Sequence, residues 1–287
     1  MKKLIVLGCL LAGMGTMHAQ ELNICDQLGV GLNLGTNGIG VDVSTRITSF
    51  VGVRAGVNIM PKFKYKTDLD VSSLSSAVTS NATYQNFLND MGIAALPRKI
   101  SVEGKLDNTT WHILFDVYPF SAVSSFHLTA GAYFGKSQIV TVYNKEPGSL
   151  SAASAFNARV DDNGVFTYTS GGVSGQISGV KKVGVELGDY FLEPTKEGNL
   201  DASFKVNGFR PYLGLGFGRA VPKNRIGVQF DMGCQFWGKP EIYCTGLQGE
   251  HKLDASEVDG RGGDVLKTLT KIAVYPVINL RITGRIL

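Results

Sequence analysis

The sequence predicts an all-β chain: a transmembrane up-and-down antiparallel β-barrel, with eight strands expected and ten if strands inside 145–198 join the wall. Three observations predict it. Apolar residues alternate with glycine or polar residues along many stretches, and strand side chains point to opposite faces with period two. Short turns alternate with long connections, as they do between the two rims of a membrane barrel. Charged residues make up 18% and glycines number 36 of 287, against roughly 25% and 7% in ordinary soluble domains. A soluble β-sandwich would show the same alternation with its apolar face as a closed core. Glycine favours the barrel, because it weakens a wet strand face yet suits a narrow interior.

The alternation is clearest in 209–237, FRPYLGLGFGRAVPKNRIGVQFDMGCQFW. Pro211, Leu213, Leu215 and Phe217 share one face; Arg210, Tyr212, Gly214 and Gly216 share the other. After a polar turn, Ile226, Val228, Phe230, Met232, Cys234 and Phe236 face out, with Gln229, Asp231 and Gln235 facing in. This is a hairpin with one greasy face.

Taken in order, 27–34 sets Leu28, Val30, Leu32 and Leu34 against Gly29, Gly31 and Asn33. Asn37-Gly38 is a hairpin turn, since that pair accepts positive φ. Residues 39–47 put Ile39, Val41, Val43 and Ile47 outward and Asp42, Ser44 and Arg46 inward; 51–59 put Val53 and Val57 outward and Arg54 and Asn58 inward. Residues 62–98 form a long connection, where 72–91 reads equally as a short helix or an unstructured loop. A long strand over 99–118 ends in WHILFDVYPF, with Trp111, Ile113 and Phe115 outward and His112, Leu114 and Asp116 inward. Residues 126–135, continuing towards Tyr143, make the next strand. Residues 145–198 form a second long connection, with strands expected at 165–169 and 180–187. Residues 239–268 form a third, containing GRGGD at 260–264. The last strand, in 269–287, has Val274, Pro276, Ile278, Leu280 and Ile282 on one face and Arg281 and Arg285 on the other.

The first nineteen residues read as a secretory signal peptide: Lys2 and Lys3, a short apolar run, and cleavage after Ala19. Residues 20–287 then form one barrel domain. No run is long and apolar enough for a transmembrane helix. The net charge is +4, and removing Lys2 and Lys3 lowers it by two. That is too balanced for a nucleic-acid binder. Cys25, Cys234 and Cys244 match no zinc spacing; a Cys234–Cys244 disulfide would leave Cys25 over. No cofactor or metal is expected.

WHILFDVYPF, FHLTAGAYFG, RPYLGLGFGRAV and YPVINLRITGRIL resemble the small outer membrane β-barrel proteins of Gram-negative bacteria, in the broad OmpW/OmpA-like class. The resemblance covers most predicted strands and none of the long connections. It implies outer-membrane location, contact with outer-membrane lipids and lipopolysaccharide, and insertion by the barrel assembly machinery. It carries no common catalytic site. The family pattern ends in an aromatic residue, whereas this chain ends Arg285-Ile286-Leu287.

The predicted inward charges are Asp42, Arg46, Arg54, Asp116, Arg210, Asp231, Arg281 and Arg285. Buried charges must pair, and five arginines against three aspartates leave a cationic excess. A narrow lumen passing small anionic, zwitterionic or hydrophobic solutes is one reading, and an ion-paired plug is the other, because eight-stranded barrels are usually filled by side chains. His112, Asp116 and His127 lack a nucleophile, so no enzyme is expected. Trp111, Phe115, Tyr143, Phe236 and Trp237 are candidates for aromatic girdles. Lys62, Lys64 and Lys66 sit past a strand end on the external rim and suit lipopolysaccharide phosphates. The expected roles are a porin-like channel or a surface protein acting through its long loops, in either case a monomer.

Overall fold

The computed structural model describes residues 27–71, 89, 98–170, 172–187, 190–253 and 273–287. The leader with its Ala19 cleavage site, Cys25, the helical spacing in 72–91 apart from Asn89, and the GRGGD stretch lie outside these residues.

The first three strands are β1 (Leu28–Gly35), β2 (Gly38–Thr48) and β3 (Val51–Ile59). Next come β4 (Lys64–Asp70), β5 (Lys99–Leu106), β6 (Thr109–Val117), β7 (Phe126–Gly135) and β8 (Gln138–Asn144). A short helix α1 (Ser151–Asn157) precedes β9 (Phe166–Ser170), β10 (Val173–Ile177), β11 (Val185–Leu187) and β12 (Tyr190–Leu192). The chain continues through β13 (Asp201–Lys205), β14 (Phe209–Phe217), β15 (Ile226–Phe236), β16 (Glu241–Gly246), β17 (Gly249–Lys252) and β18 (Val274–Arg285).

Eight of these strands close a barrel in the order β1–β2–β3–β6–β7–β14–β15–β18, with β18 returning to β1. Every neighbouring pair is antiparallel. The alternation that predicted these strands gives their faces directly. Leu32, Val41, Trp111, Phe115, Leu213, Phe230 and Ile282 are exposed on the outside, while Asp42, Arg54, Leu114, Tyr133, Tyr212 and Arg281 are buried inside. An apolar exterior around a polar interior is stable only if the exterior meets hydrocarbon. The fold is a transmembrane-type β-barrel. The turn after β1 uses the predicted residue, with Gly38 at φ +95°.

The long connections carry more order than the sequence suggests. β4, β5, β8, β13, β16 and β17 form a six-stranded sheet in the order β17–β16–β13–β8–β5–β4. Five of its strands run on from barrel strands. β3 leads into β4, β5 into β6 across Asp107-Asn108, β7 into β8 across Lys136-Ser137, β13 into β14, and β15 into β16. Neighbours are also kept across the break, since β5 pairs with β8 above just as β6 pairs with β7 below. Among the described residues, the barrel wall is therefore tall along five strands and low along β1, β2 and β18. The strand predicted over 99–118 and the one continuing towards Tyr143 are each interrupted at this level.

The strands expected within 145–198 exist in part. β9 falls on 165–169, but of 180–187 only β11 is strand. They form two separate two-stranded sheets, β9–β10 and β11–β12, so the barrel has eight strands and not ten.

These small sheets and α1 cover the upper inner face of the six-stranded sheet. Ile100, Val102, Ala202 and Cys244 from that face pack in one buried cluster with Leu150, Phe156, Phe166 and Leu192. The Phe156 and Phe166 rings stack with centroids 5.0 Å apart. The outer face is laced with ion pairs: Lys64 Nζ lies 2.8 Å from Glu103 Oε1, Lys205 Nζ 2.6 Å from Glu250 Oε1, and Lys252 pairs with Glu241.

Candidate functional site

The interior of the barrel is the first place to seek a function, because the inward charges converge there. Arg54 on β3 is its centre. Its Nη1 donates to Asp231 Oδ2 at 2.9 Å, and its Nη2 donates to Asp116 Oδ1 at 2.8 Å. Its Nε lies 2.8 Å from Asp116 Oδ2, an ion-pair distance without hydrogen-bond alignment. Thr129 Oγ1 donates to Asp116 at 2.8 Å, and His127 Nε2 lies 2.7 Å from Asp231 Oδ1. Arg54 is 2% exposed and Asp116 0%. The carboxylates and guanidinium satisfy one another, as charges so deeply buried must.

A second cluster sits beside the first. Arg281 on β18 grips Asp42 on β2 through Nε, 2.9 Å from Oδ2, and through Nη2. It also donates to Ala220 O at 2.9 Å and Gln229 Oε1 at 3.1 Å. Asn33 Nδ2 donates to Asp42 at 2.7 Å. Gln229 links the clusters, since its Nε2 reaches Asp116 Oδ2 at 3.3 Å. Across the top of this plug lie Leu114, Tyr133, Tyr212 and Val277, which form one buried cluster. The Tyr133 and Tyr212 rings meet edge-on at 5.4 Å.

The inward glycines serve this filling. A Cβ on Gly31 would lie 2.7 Å from Cζ of Arg281, and one on Gly233 would lie 2.6 Å from the Tyr212 hydroxyl oxygen. At these two positions a long side chain from a neighbouring strand takes the space the glycine leaves.

Of the eight predicted inward charges, the structure brings five together: Arg54, Asp116, Asp231, Arg281 and Asp42. The other three correct the expectation of a cationic lumen. Arg46 and Arg285 have the inward parity but stand at strand ends and are exposed; Arg285 Nη1 donates to Lys223 O at 3.0 Å. Arg210 is buried, yet its partners are Asn207 O, Lys136 O and Asn108 Oδ1 rather than a carboxylate. The plug itself holds three carboxylates against two guanidiniums.

His112 and His127 do not join Asp116 in a hydrolytic arrangement. His112 Nδ1 lies 3.2 Å from Asn58 Nδ2, and His127 bonds Asp231. Asp116, His127 and Asp231 bring donor atoms within 4.8 Å of one another, which is cation-site geometry, but the Arg54 guanidinium already binds both carboxylates. Sequence reading missed Gln229, Asn33, Ser44 and Thr129 as members of the plug. Their signal was their shared parity with the charges.

Cys234 and Cys244 are free thiols, which corrects the disulfide considered between them. Cys234 has the outward parity of a barrel strand, while Cys244 is buried in the upper cluster. Burial pushes its thiol pKa up to about 12, so it is an inert packing residue. Two girdle candidates are also reassigned. Tyr143 lies on β8, above the barrel, and its hydroxyl donates to Glu103 Oε1 at 2.6 Å. The Trp237 ring packs on Tyr275, 4.8 Å between centroids. Trp111, Phe115 and Phe236 are exposed on the outer wall as predicted.

Outside the barrel, the upper layer carries a groove of ≈ 770 Å³ beside Tyr143, Lys196, Asp201 and Gln248. A second depression of ≈ 430 Å³ shares Lys196, Leu247 and Gln248 with it.

No family profile matches the chain, and no curated protein sequence matches it. Among solved structures, the chain is similar to two from Acinetobacter baumannii and one from Thermus thermophilus. CarO2 of Acinetobacter baumannii is 15% identical over 90% of this chain and 98% of its own, with a TM-score of 0.42. CarO of Acinetobacter baumannii is 14% identical over 89% and 96%, at 0.43. A major outer membrane protein from Thermus thermophilus is 14% identical over 90% and 98%, at 0.31.

Proposed function

We infer that this is an outer-membrane protein whose barrel is an anchor and whose working part is the β-platform above it, a surface-exposed binding layer. The observation that carries this reading is the Arg54–Asp116–Asp231 cluster, which fills the barrel's cross-section with side chains buried to 3% exposure or less. A standing aqueous pore needs an unfilled lumen. Long connections lie on the external side of outer-membrane barrels, which points the platform, its ion-paired face and its groove away from the cell. The porin-like alternative needs the plug to rearrange before any solute passes.

Planar-bilayer recording of the purified protein tests the reading. The wild type is expected to show no steady conductance. Steady unitary steps from the wild type would overturn the anchor reading and restore the channel, in which neutralising Arg54 or Arg281 should change the step size. Orientation has its own check. A thiol introduced as Gln248→Cys should react with a membrane-impermeant maleimide on intact cells, and labelling only after lysis would place the platform on the wrong side.

A further inference from the structure

Barrel and platform leave an apolar chamber between them. Its volume is ≈ 470 Å³, within the roughly 300–1,000 Å³ of ordinary ligand pockets. Leu106, Val142, Phe204 and Ile242 line it from the inner face of the platform, and Trp237 and Val274 from the top of the barrel. Two of its polar neighbours are engaged elsewhere. The Tyr275 hydroxyl donates to Thr36 O at 2.7 Å, and Asn108 Oδ1 accepts from Arg210 at 3.2 Å. What the chamber offers an occupant is hydrocarbon.

Among the described residues, the chamber has an open side. The wall is low along β1, β2 and β18, and β4 is the edge of the platform sheet. Among the described residues, that edge carries only the Val71–Val185 bridge at its far end. Phe63 and Tyr65 stand on it, 61% and 73% exposed. Tyr65 is opposite Gly104 in the register, hence on the chamber's face, and Phe63 O accepts from Leu106 N. Large aromatic side chains left this open are at home where an apolar phase meets water. Just below them, Ile59 begins the lipid-facing belt, so an apolar path runs from the membrane into the chamber.

Charge on the outer face of the same hairpin suggests the head group. Lys64 is directly opposite Lys105, Lys66 is opposite Glu103, and Lys62 precedes them. Like charges directly opposite destabilise a strand pair; Glu103 is the carboxylate opposite these lysines in the register, and Asp68 follows Lys66 on the same face, where it accepts from Ser101.

We propose that the chamber holds a hydrocarbon chain of an anionic lipid from the surrounding leaflet, which enters past the β4 edge while its phosphate rests on Lys62, Lys66 and Lys105. The proposal rests on the membrane reading above, and the test separates the two.

The chain has two tryptophans: Trp111 on the lipid-facing wall and Trp237 at the chamber. Trp111→Phe and Trp237→Phe each leave one reporter. Both proteins are reconstituted in vesicles of phosphatidylglycerol or phosphatidylcholine with brominated acyl chains, and emission is read with and without acrylamide. Expected is loss of Trp237 emission to brominated chains, greater in phosphatidylglycerol, with little loss to acrylamide. Lys62→Gln/Lys105→Gln should remove the difference between the two lipids. Val142→Phe, which fills the chamber, should restore Trp237 emission and leave Trp111 quenching unchanged; should it fail to fold, the Trp111→Phe protein decides alone. Failure of brominated chains to quench Trp111 would sink the membrane reading itself. With Trp111 quenched, Trp237 quenched by acrylamide alone means a water-filled chamber, and by neither agent a chamber filled by the chain itself; both overturn the proposal. Equal quenching by the two lipids overturns the head-group assignment.

Discussion

Barrel and platform are built from the same strands with opposite polarity. Below Asp107-Asn108, the face turned towards the axis carries Asp116, His112 and Arg54, and the outward face carries Trp111 and Phe115. Above it, the axial face carries Ile100 and Val102 in a buried cluster, while the outward face carries Glu103 paired with Lys64. Four neighbouring strands, through β8, β13, β16 and β4, make the same inversion. The hydrogen-bonded ladder is indifferent to what surrounds it, so the reversal reports the surroundings: hydrocarbon outside the lower wall, water outside the upper. The level of the break is where the membrane surface should lie.

The largest expected effect comes from unbalancing the lower interior. Arg54→Ala leaves Asp116 and Asp231 buried without their partner, and losing one member of a buried pair costs about 3–5 kcal/mol. Urea unfolding in detergent micelles should show it, and adding Asp116→Asn and Asp231→Asn should recover most of the loss. If Arg54→Ala alone is neutral, the plug is not the barrel's core.

The upper core should fail independently. Phe156→Ala removes a fully buried ring stacked on Phe166, at a cost of about 3–5 kcal/mol. Limited proteolysis should then cut the platform while the barrel keeps its unboiled gel mobility. Loss of both together would mean the two regions fold as one unit.

Matching outward positions sharpen the contrast. Ile113→Lys, at the middle of β6, puts a charge on the lipid-facing wall, costing about 2–4 kcal/mol near mid-membrane. Ser101→Lys, outward and exposed on the platform opposite Asp68, should stay within about 0.5 kcal/mol. Equal penalties in micelle unfolding would erase the polarity boundary.

The smallest effect concerns Glu103, whose carboxyl is held below its usual value near 4.5 by hydrogen bonds from Lys64 and then Tyr143. A lowered carboxyl stabilises the fold above its unfolded pKa, and that contribution fades as pH falls through the folded value. Lys64→Ala should move the Glu103 titration upward, read by carboxyl NMR shifts, with little change in stability at neutral pH. An unmoved titration would mean the pair is not formed.

Much of the barrel was legible because period two is a local signal: 209–237 declares both faces residue by residue, and β14 and β15 follow it. The platform was less so. Residues 99–118 alternate without a pause through Asp107-Asn108, so the change in what each face meets leaves no mark on the period. Parity also says which way a side chain points but not how deep it sits; Arg46 and Arg285 were read correctly as inward yet lie at the ends. The glycines misled for a related reason. Gly31 suggests open space until Arg281, on a strand at the far end of the sequence, is seen to occupy it.

That distance along the chain has a kinetic side. β1 and β18 are joined from Gly29–Arg285 to Gly35–Asn279, with almost the entire chain looped between them. Closing so long a loop is entropically costly and slow. Until the last strand arrives, β1 and β15 each present an unpaired edge that any other extended chain could occupy. The final strand is thus the clasp of the ring, and a chain stopped before it would expose two adhesive edges rather than a slightly smaller barrel.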